Sequence, residues 1–269
     1  MAMDHLAEER GKPVGFFDTG VGGLTVLAAA VQLLPAEDFV YYGDTANAPY
    51  GEKTKEEVRA LSVRIADMLL NRGCKAIVVA CNTATSAAVD LLREVLPVPV
   101  IGMEPAIKPA LAGGGRVLVM ATPLTLQEEK FRDLYRRYCP DGEKITILPC
   151  PGLVELIERG ETSGPEVDAT LRELFSAVDL TGVSSVVLGC THYLFVREAL
   201  RRLLPPGTKI YDGNYGTVRQ LQRVLEHNNL LRPERECSGD VEFLTSGGRP
   251  SLLLFRQLYR QVCAKPVLP

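Results

Sequence analysis

The sequence predicts an α/β protein with mostly parallel sheet, on three observations. Short apolar, β-branched runs recur along the chain, segments of helical periodicity separate them, and two runs end in a cysteine followed by polar residues. The runs are VGFFD (14–18), DFVYYGD (38–44), AIVVACN (76–82), VPVIGM (98–103), RVLVMAT (116–122), ITILPC (145–150), SVVLGC (185–190) and KIYDG (209–213). In such folds ligands sit at the carboxyl ends of the strands, which directs attention to Cys81 and Cys190 at the ends of their runs.

The helical segments carry their own signals. Thr54 and Glu57 have the spacing of a capping box, Val58, Leu61, Ile65, Met68 and Leu69 recur at helical spacing, and Gly73 supplies a stop. A second helix is expected from Pro165, which is tolerated in a first turn, with Val167, Leu171, Leu174 and Val178 as its apolar stripe. Proline-rich stretches at 96–100 (LPVPV) and 203–209 (LLPPGTK) read as linkers. They imply two domains, one formed by residues 1–98 with 210–269 and carrying Cys81, the other by 99–209 and carrying Cys190.

Composition limits the partners. The 269 residues are 46% hydrophobic and 23% charged, with mean hydropathy +0.06, as in a soluble globular protein. A net charge of −3 and a pI near 5.8 give no basic patch for nucleic acid; the segment LYRRY reads as a solvated helix face. The N-terminal MAMDHLAEERGK lacks an apolar signal core, and no run reaches the roughly 18 apolar residues a bilayer requires. A cytoplasmic protein without membrane contact is expected.

Seven cysteines, an odd number without a CxxC pair, suit neither a disulfide framework nor a zinc ribbon. Cys74, Cys139, Cys150, Cys237 and Cys263 read as small buried or incidental residues. Cys190 and His192 alone make too few ligands for zinc, which takes four in structural sites, and no lysine stands in a context suggesting a pyridoxal Schiff base. No metal and no cofactor is therefore expected.

Two thiols delivered from two domains across a cleft suit stereoinversion: one takes a proton from one face of a carbon and the other returns a proton to the opposite face. An ordinary thiol, with a pKa of about 8.5, is mostly protonated near neutral pH and needs help to act as a base. After Cys81 the chain turns helical, and the helix N-terminus favours a thiolate. That dipole contributes about 0.3–1 kcal/mol, less than one pKa unit, so a further group must assist. Asp18 after GFF, His192 two residues beyond Cys190, and Glu158 at the end of LVELIE are the candidates. Singly, each has an ordinary reading as an N-cap, a core-edge polar group or a solvated helix residue; together with the thiols they form a set. The loop DTGVGGLTVL offers N–H groups and a hydroxyl for an anion at a helix start. It is no dinucleotide fingerprint, because Thr25 stands where the last glycine would be. GDTANAPYG (43–51) follows a strand-like run and reads as a ligand-contacting loop.

The motifs FFDTGVGGLTVL, YYGDTANAPYG, VVACNTATSAA, VIGMEPA and VVLGCTHY, in this order between residues 16 and 193, resemble those of the glutamate racemases of bacterial cell-wall synthesis. The resemblance implies two α/β domains, each doubly wound, facing each other about a pseudo-twofold axis. It implies cofactor-independent interconversion of L- and D-glutamate for peptidoglycan, with Cys81 deprotonating D-glutamate and Cys190 deprotonating L-glutamate. By the same resemblance Asp18 supports Cys81 and His192 assists Cys190. Glu158 is the corresponding carboxylate in CPGLVELIE, with Glu155 competing for the assignment. Substrate contacts fall on Asp18, Thr19, Pro49, Tyr50, Gly51, Asn82, Thr83, Thr122, Thr191 and His192. Thr19 stands where serine is usual and Leu194 where proline is common, and the last fifty residues match weakly. Family members are often homodimers, although nothing in this sequence marks an interface. A racemase for another amino acid and a non-catalytic amino-acid sensor are the alternatives; the second has no use for two thiols.

Overall fold

The computed structural model describes residues 2–138 and 144–264; Cys139 lies outside them. Nine strands build two sheets among the described residues. The first contains β1 (Val14–Asp18), β2 (Phe39–Gly43), β3 (Ala76–Val79), β4 (Val100–Gly102) and β9 (Val241–Thr245), in the order β4-β3-β1-β2-β9. The second contains β5 (Arg116–Ala121), β6 (Ile145–Pro149), β7 (Val183–Leu188) and β8 (Lys209–Asp212), in the order β6-β5-β7-β8. Every strand pair is parallel.

The two orders are one topology used twice. In each sheet the chain passes from the first strand to a neighbour on one side, returns to the other side and continues outward; β9 is the single addition. A reversal of strand order opens a crevice at the carboxyl ends of the strands flanking it. Those strands are β1 with β3, and β5 with β7. Asp18, Cys81, Thr122 and Cys190 all stand at or just beyond these four ends.

Central strands buried on both faces read as continuous apolar runs. Phe16 and Phe17 are both fully buried, on opposite faces of β1 and in different core clusters. The helix Leu24–Leu33 is buried over Leu24–Ala30 and packs against the helices Asn214–His227 and Arg249–Cys263 and the 3-10 segment Thr191–Val196. Being apolar all round, it suits an interior position, where each fully buried aliphatic side chain contributes about 1.5–3 kcal/mol. The expected helix Lys55–Asn71 has the Thr54–Glu57 capping box. It ends with Gly73 at φ +77°, whose N–H donates to Leu70 O while that of Cys74 donates to Leu69 O, a Schellman stop. The helix Pro165–Ser176 begins on its proline and buries Val167 and Leu171; Val178 falls beyond its end.

The sheets correct the expected boundaries. Val100–Gly102 pairs with β3 in the first sheet, and Lys209–Asp212 pairs with β7 in the second, so the crossings between sheets follow Gly102 and Asp212. Each proline-rich stretch is a turn from a helix into an edge strand of its own sheet, where the prolines stop the helix. β9 was not anticipated. Among the described residues, no helix is long and apolar enough to cross a membrane.

Candidate active site

Cys81 and Cys190 occupy equivalent places. Each follows the third strand of its sheet in an extended conformation, φ −134° and ψ 125° for Cys81, φ −141° and ψ 135° for Cys190. Cys81 is the N-cap of the helix Asn82–Val95, its Sγ accepting the Ala84 N–H at 3.3 Å. Cys190 precedes the 3-10 segment Thr191–Val196. Both thiols are buried, with 6% and 8% of their surface exposed.

Different groups attend them. Asp18, fully buried at the end of β1, accepts hydrogen bonds from Thr19 N at 2.6 Å, from Gly23 N and from Thr191 Oγ1 at 3.3 Å. Its charge acts on the nearby Cys81 thiol. On the other side His192 Nδ1 is 3.6 Å from Cys190 Sγ, and its Nε2 is 2.5 Å from Glu158 Oε1. That oxygen also accepts Val21 N–H at 2.8 Å. Cys190, His192 and Glu158 thus form a continuous thiol–imidazole–carboxylate chain.

The glycine loop after β1 does not lie open to an external anion as the sequence suggested. Its N–H groups at Thr19, Val21 and Gly23 are taken by Asp18 and Glu158, the protein's own carboxylates. Two of its glycines are required by close approach. A Cβ on Gly20 would stand 1.8 Å from Glu158 Oε1, and one on Gly22 would stand 2.3 Å from His192 Nδ1 and 2.4 Å from Thr191 Oγ1. Tyr41, unforeseen from sequence, fixes the loop by donating its hydroxyl to Gly20 O at 2.6 Å.

Burial pushes the Cys81 thiol well above its usual range, and the neighbouring Asp18 charge adds to this, against the opposing Ala84 N–H. The helix N-terminus that favours a thiolate is outweighed. Burial also raises Asp18, partly offset by His192 and by the Thr19 N–H. For His192 burial favours the neutral ring, but Cys190 and Glu158 prevail and hold the imidazole well above the ordinary histidine range. Glu155 is separate from this chain. Its carboxyl is raised by burial and by a hydrogen bond with Glu52.

Polar side chains complete the enclosure. Thr83 Oγ1 lies 3.1 Å from Thr122 Oγ1 and 3.0 Å from Thr125 Oγ1, with 2.9 Å between the last two. This joins the start of the Cys81 helix to the helix Pro123–Gln127 that follows β5. Thr125 was not anticipated, although its place three residues after the N-cap Thr122 and two after Pro123 is a capping signal. Asn82, 4% exposed, has neither amide atom hydrogen-bonded among the described residues, and buried polar atoms of this kind normally have partners. Thr19 and Thr191 are buried in the same region. Tyr50 is 1% exposed and donates to Asp44 Oδ2 at 2.7 Å; a Cβ on Gly51 would meet Thr122 Cβ at 3.0 Å. Pro49, Glu155 and Glu158 line a cavity of about 440 Å³. Direct contacts across the two sheets thus join Asp18 to Thr191, Thr83 to Thr122, and Glu158 to Val21.

Comparison with known proteins follows the same lines. A family model described as Asp/Glu/Hydantoin racemase matches residues 22–221. Glutamate racemase of Clostridium botulinum (strain Langeland) is 53% identical over 237 residues, 87% of this chain and 91% of that protein. Glutamate racemase from Thermus thermophilus, solved in complex with β-chloro-D-alanine, superposes with a TM-score of 0.74 at 38% identity, covering 95% of this chain and 93% of that one. The Francisella tularensis enzyme, solved with D-glutamate, gives 0.79 at 28% identity, covering 95% of each chain.

Proposed function

The chain belongs to the Asp/Glu/hydantoin racemase family, and from that premise we propose that it racemises glutamate through two bases, Cys81 and Cys190, supplying D-glutamate for peptidoglycan. The observation that carries this reading is the pair of buried thiols at equivalent strand ends, each beside a different acid–base partner.

An imidazolium at His192 offers a counter-charge to a Cys190 thiolate, while burial keeps Cys81 protonated. A turnover from L-glutamate requires one base and one acid of this kind. Cys190 removes the Cα proton, the electron pair remains on the substrate as a carbanion, and Cys81 protonates the opposite face. In the reverse direction Asp18 accepts the Cys81 proton as the thiol becomes the base, while the His192 imidazolium supplies the proton that Cys190 delivers to the opposite face. Glu158 orients His192 and balances its charge. Asn82, Thr83, Thr122, Thr191 and the Thr19 hydroxyl bind the substrate's polar groups. Donors aimed at its α-carboxylate stabilise the charge that develops there, and preorganised donors of this kind are a large source of rate enhancement. Pro49, Tyr50 and Gly51 close the pocket from the first sheet. No step calls for a cofactor. The same reading places the reaction in the cytoplasm.

Incubation of the purified protein with L-glutamate in D₂O, without added cofactor, tests this. Deuterium at Cα and the D-enantiomer should emerge together. A folded protein that binds glutamate and yields neither would overturn the proposal in favour of a sensor; turnover of another amino acid alone would change the substrate.

A further inference from the structure

β9 is the one strand without a counterpart in the repeated topology, and it lies outside the residues matched by the racemase family model. It pairs with β2 from Phe39↔Val241 to Gly43↔Thr245, so its carboxyl end runs beside the loop that carries Pro49, Tyr50 and Gly51. Ser246, the next residue, is built into that loop. Its Oγ donates to Asp44 Oδ1 at 2.7 Å and accepts Ala46 N–H at 3.0 Å, and its own N–H donates to Gly43 O at 3.3 Å.

Asp44 is the junction. Its carboxylate, 2% exposed, accepts from Ser246, from Asn47 Nδ2 at 2.9 and 3.1 Å and from the Tyr50 hydroxyl at 2.7 Å. A carboxylate buried this far needs its acceptors filled. Ser246 fills the oxygen opposite the one Tyr50 uses. Beyond Tyr50, Gly51 abuts Thr122 of the second sheet, and Thr122 belongs to the hydroxyl cluster beside Cys81. Thr45 is tied to the same C-terminal region, with Oγ1 2.7 Å from Thr245 Oγ1 and 3.2 Å from Ser251 Oγ.

We propose that Ser246 is a positioning residue for substrate binding: through Asp44 it holds the Pro49–Tyr50–Gly51 turn against Thr122, so that the added strand sets the affinity of the pocket. This rests on the glutamate-binding reading above. On that reading the turn holds the substrate's binding groups and exchanges no proton with its Cα, so its placement stabilises ground and transition states alike. Losing it raises KM and spares kcat. Because the enantiomers are equally stable in solution, kcat/KM must fall equally in both directions.

Ser246→Ala tests the inference, with Ser246→Thr as the rescue; the residue is exposed, so the added methyl has room. Ser246→Ala should raise KM for both enantiomers, and the Kd for L-glutamate measured by calorimetry, about five- to tenfold with kcat within about twofold. Ser246→Thr should remain within about twofold of the parent in every parameter. Unchanged affinity in Ser246→Ala, a loss confined to kcat, or failure of threonine to rescue would overturn it. A parent that binds glutamate without racemising it would sink the catalytic reading and leave the calorimetric ratio to judge Ser246. A parent that neither binds nor turns over glutamate would sink both.

Discussion

The two thiol sites share a topology and differ in chemistry. Cys81 caps a helix of 14 residues and faces a fully buried carboxylate, Asp18. Cys190 precedes a 3-10 segment of six residues and faces an imidazole backed by Glu158, whose side chain is 15% exposed at the cavity wall. Repeating a fold provides two strand ends at matching places; it does not provide two equal bases. On the proposed two-base reading, the difference suits Cys81 to act first as the acid while Cys190 has an imidazole beside it, since groups held in unlike surroundings can divide acid and base roles between them.

The largest effect that breaks this comparison comes from the thiols themselves. Cys81→Ser and Cys190→Ser should each lower racemisation by at least about 10³-fold with the fold intact by circular dichroism. Residual solvent exchange should become one-sided: Cys81→Ser washes deuterium into L-glutamate only, and Cys190→Ser into D-glutamate only. Near-normal racemisation by Cys190→Ser would refute the two-base scheme.

A smaller effect separates the carboxylates near Cys190. Glu158→Gln should lower kcat by about 10²-fold, in the range for removing acid–base assistance. Glu155→Gln should stay within about threefold, as expected where no proton in flight is touched. The opposite ranking, read from steady-state kinetics, would transfer the role to Glu155.

The smallest effect isolates burial from catalysis. Cys74 and Cys150 are also buried, and burial pushes each thiol up to about 12 from an ordinary value near 9.0. Between those values the folded chain keeps protons that the unfolded chain releases. The contribution of these thiols to stability should therefore be level below about pH 9 and fall as pH rises toward 12, with Cys81 adding in the same direction. Urea midpoints from pH 8 to 11 should decline, and Cys74→Ala should flatten the decline; an equal slope in parent and variant would contradict it.

Much of the fold is legible because its signals are local. Eight strands coincide with apolar runs, Thr54 with Glu57 caps a helix three residues apart, and Pro165 opens another. β9 escaped because VEFLT is only partly buried at a sheet edge, where the apolar signal is diluted. The proline-rich turns misled because proline ends a helix whether or not a domain ends with it.

By itself, then, the sequence determined the parallel α/β class, the two cysteines at strand ends, and the polar residues that accompany them, since each follows from periodicity or chain adjacency. Tertiary structure alone decided which carboxylate meets His192, why Gly20 and Gly22 have no side chain, which sheet receives Val100–Gly102 and Lys209–Asp212, and that Ser246 reaches Asp44 across 202 positions. Those contacts join segments far apart in the chain. A local pattern reports a residue's own helix or strand face, and the partner across the crevice is fixed only when the sheets pack.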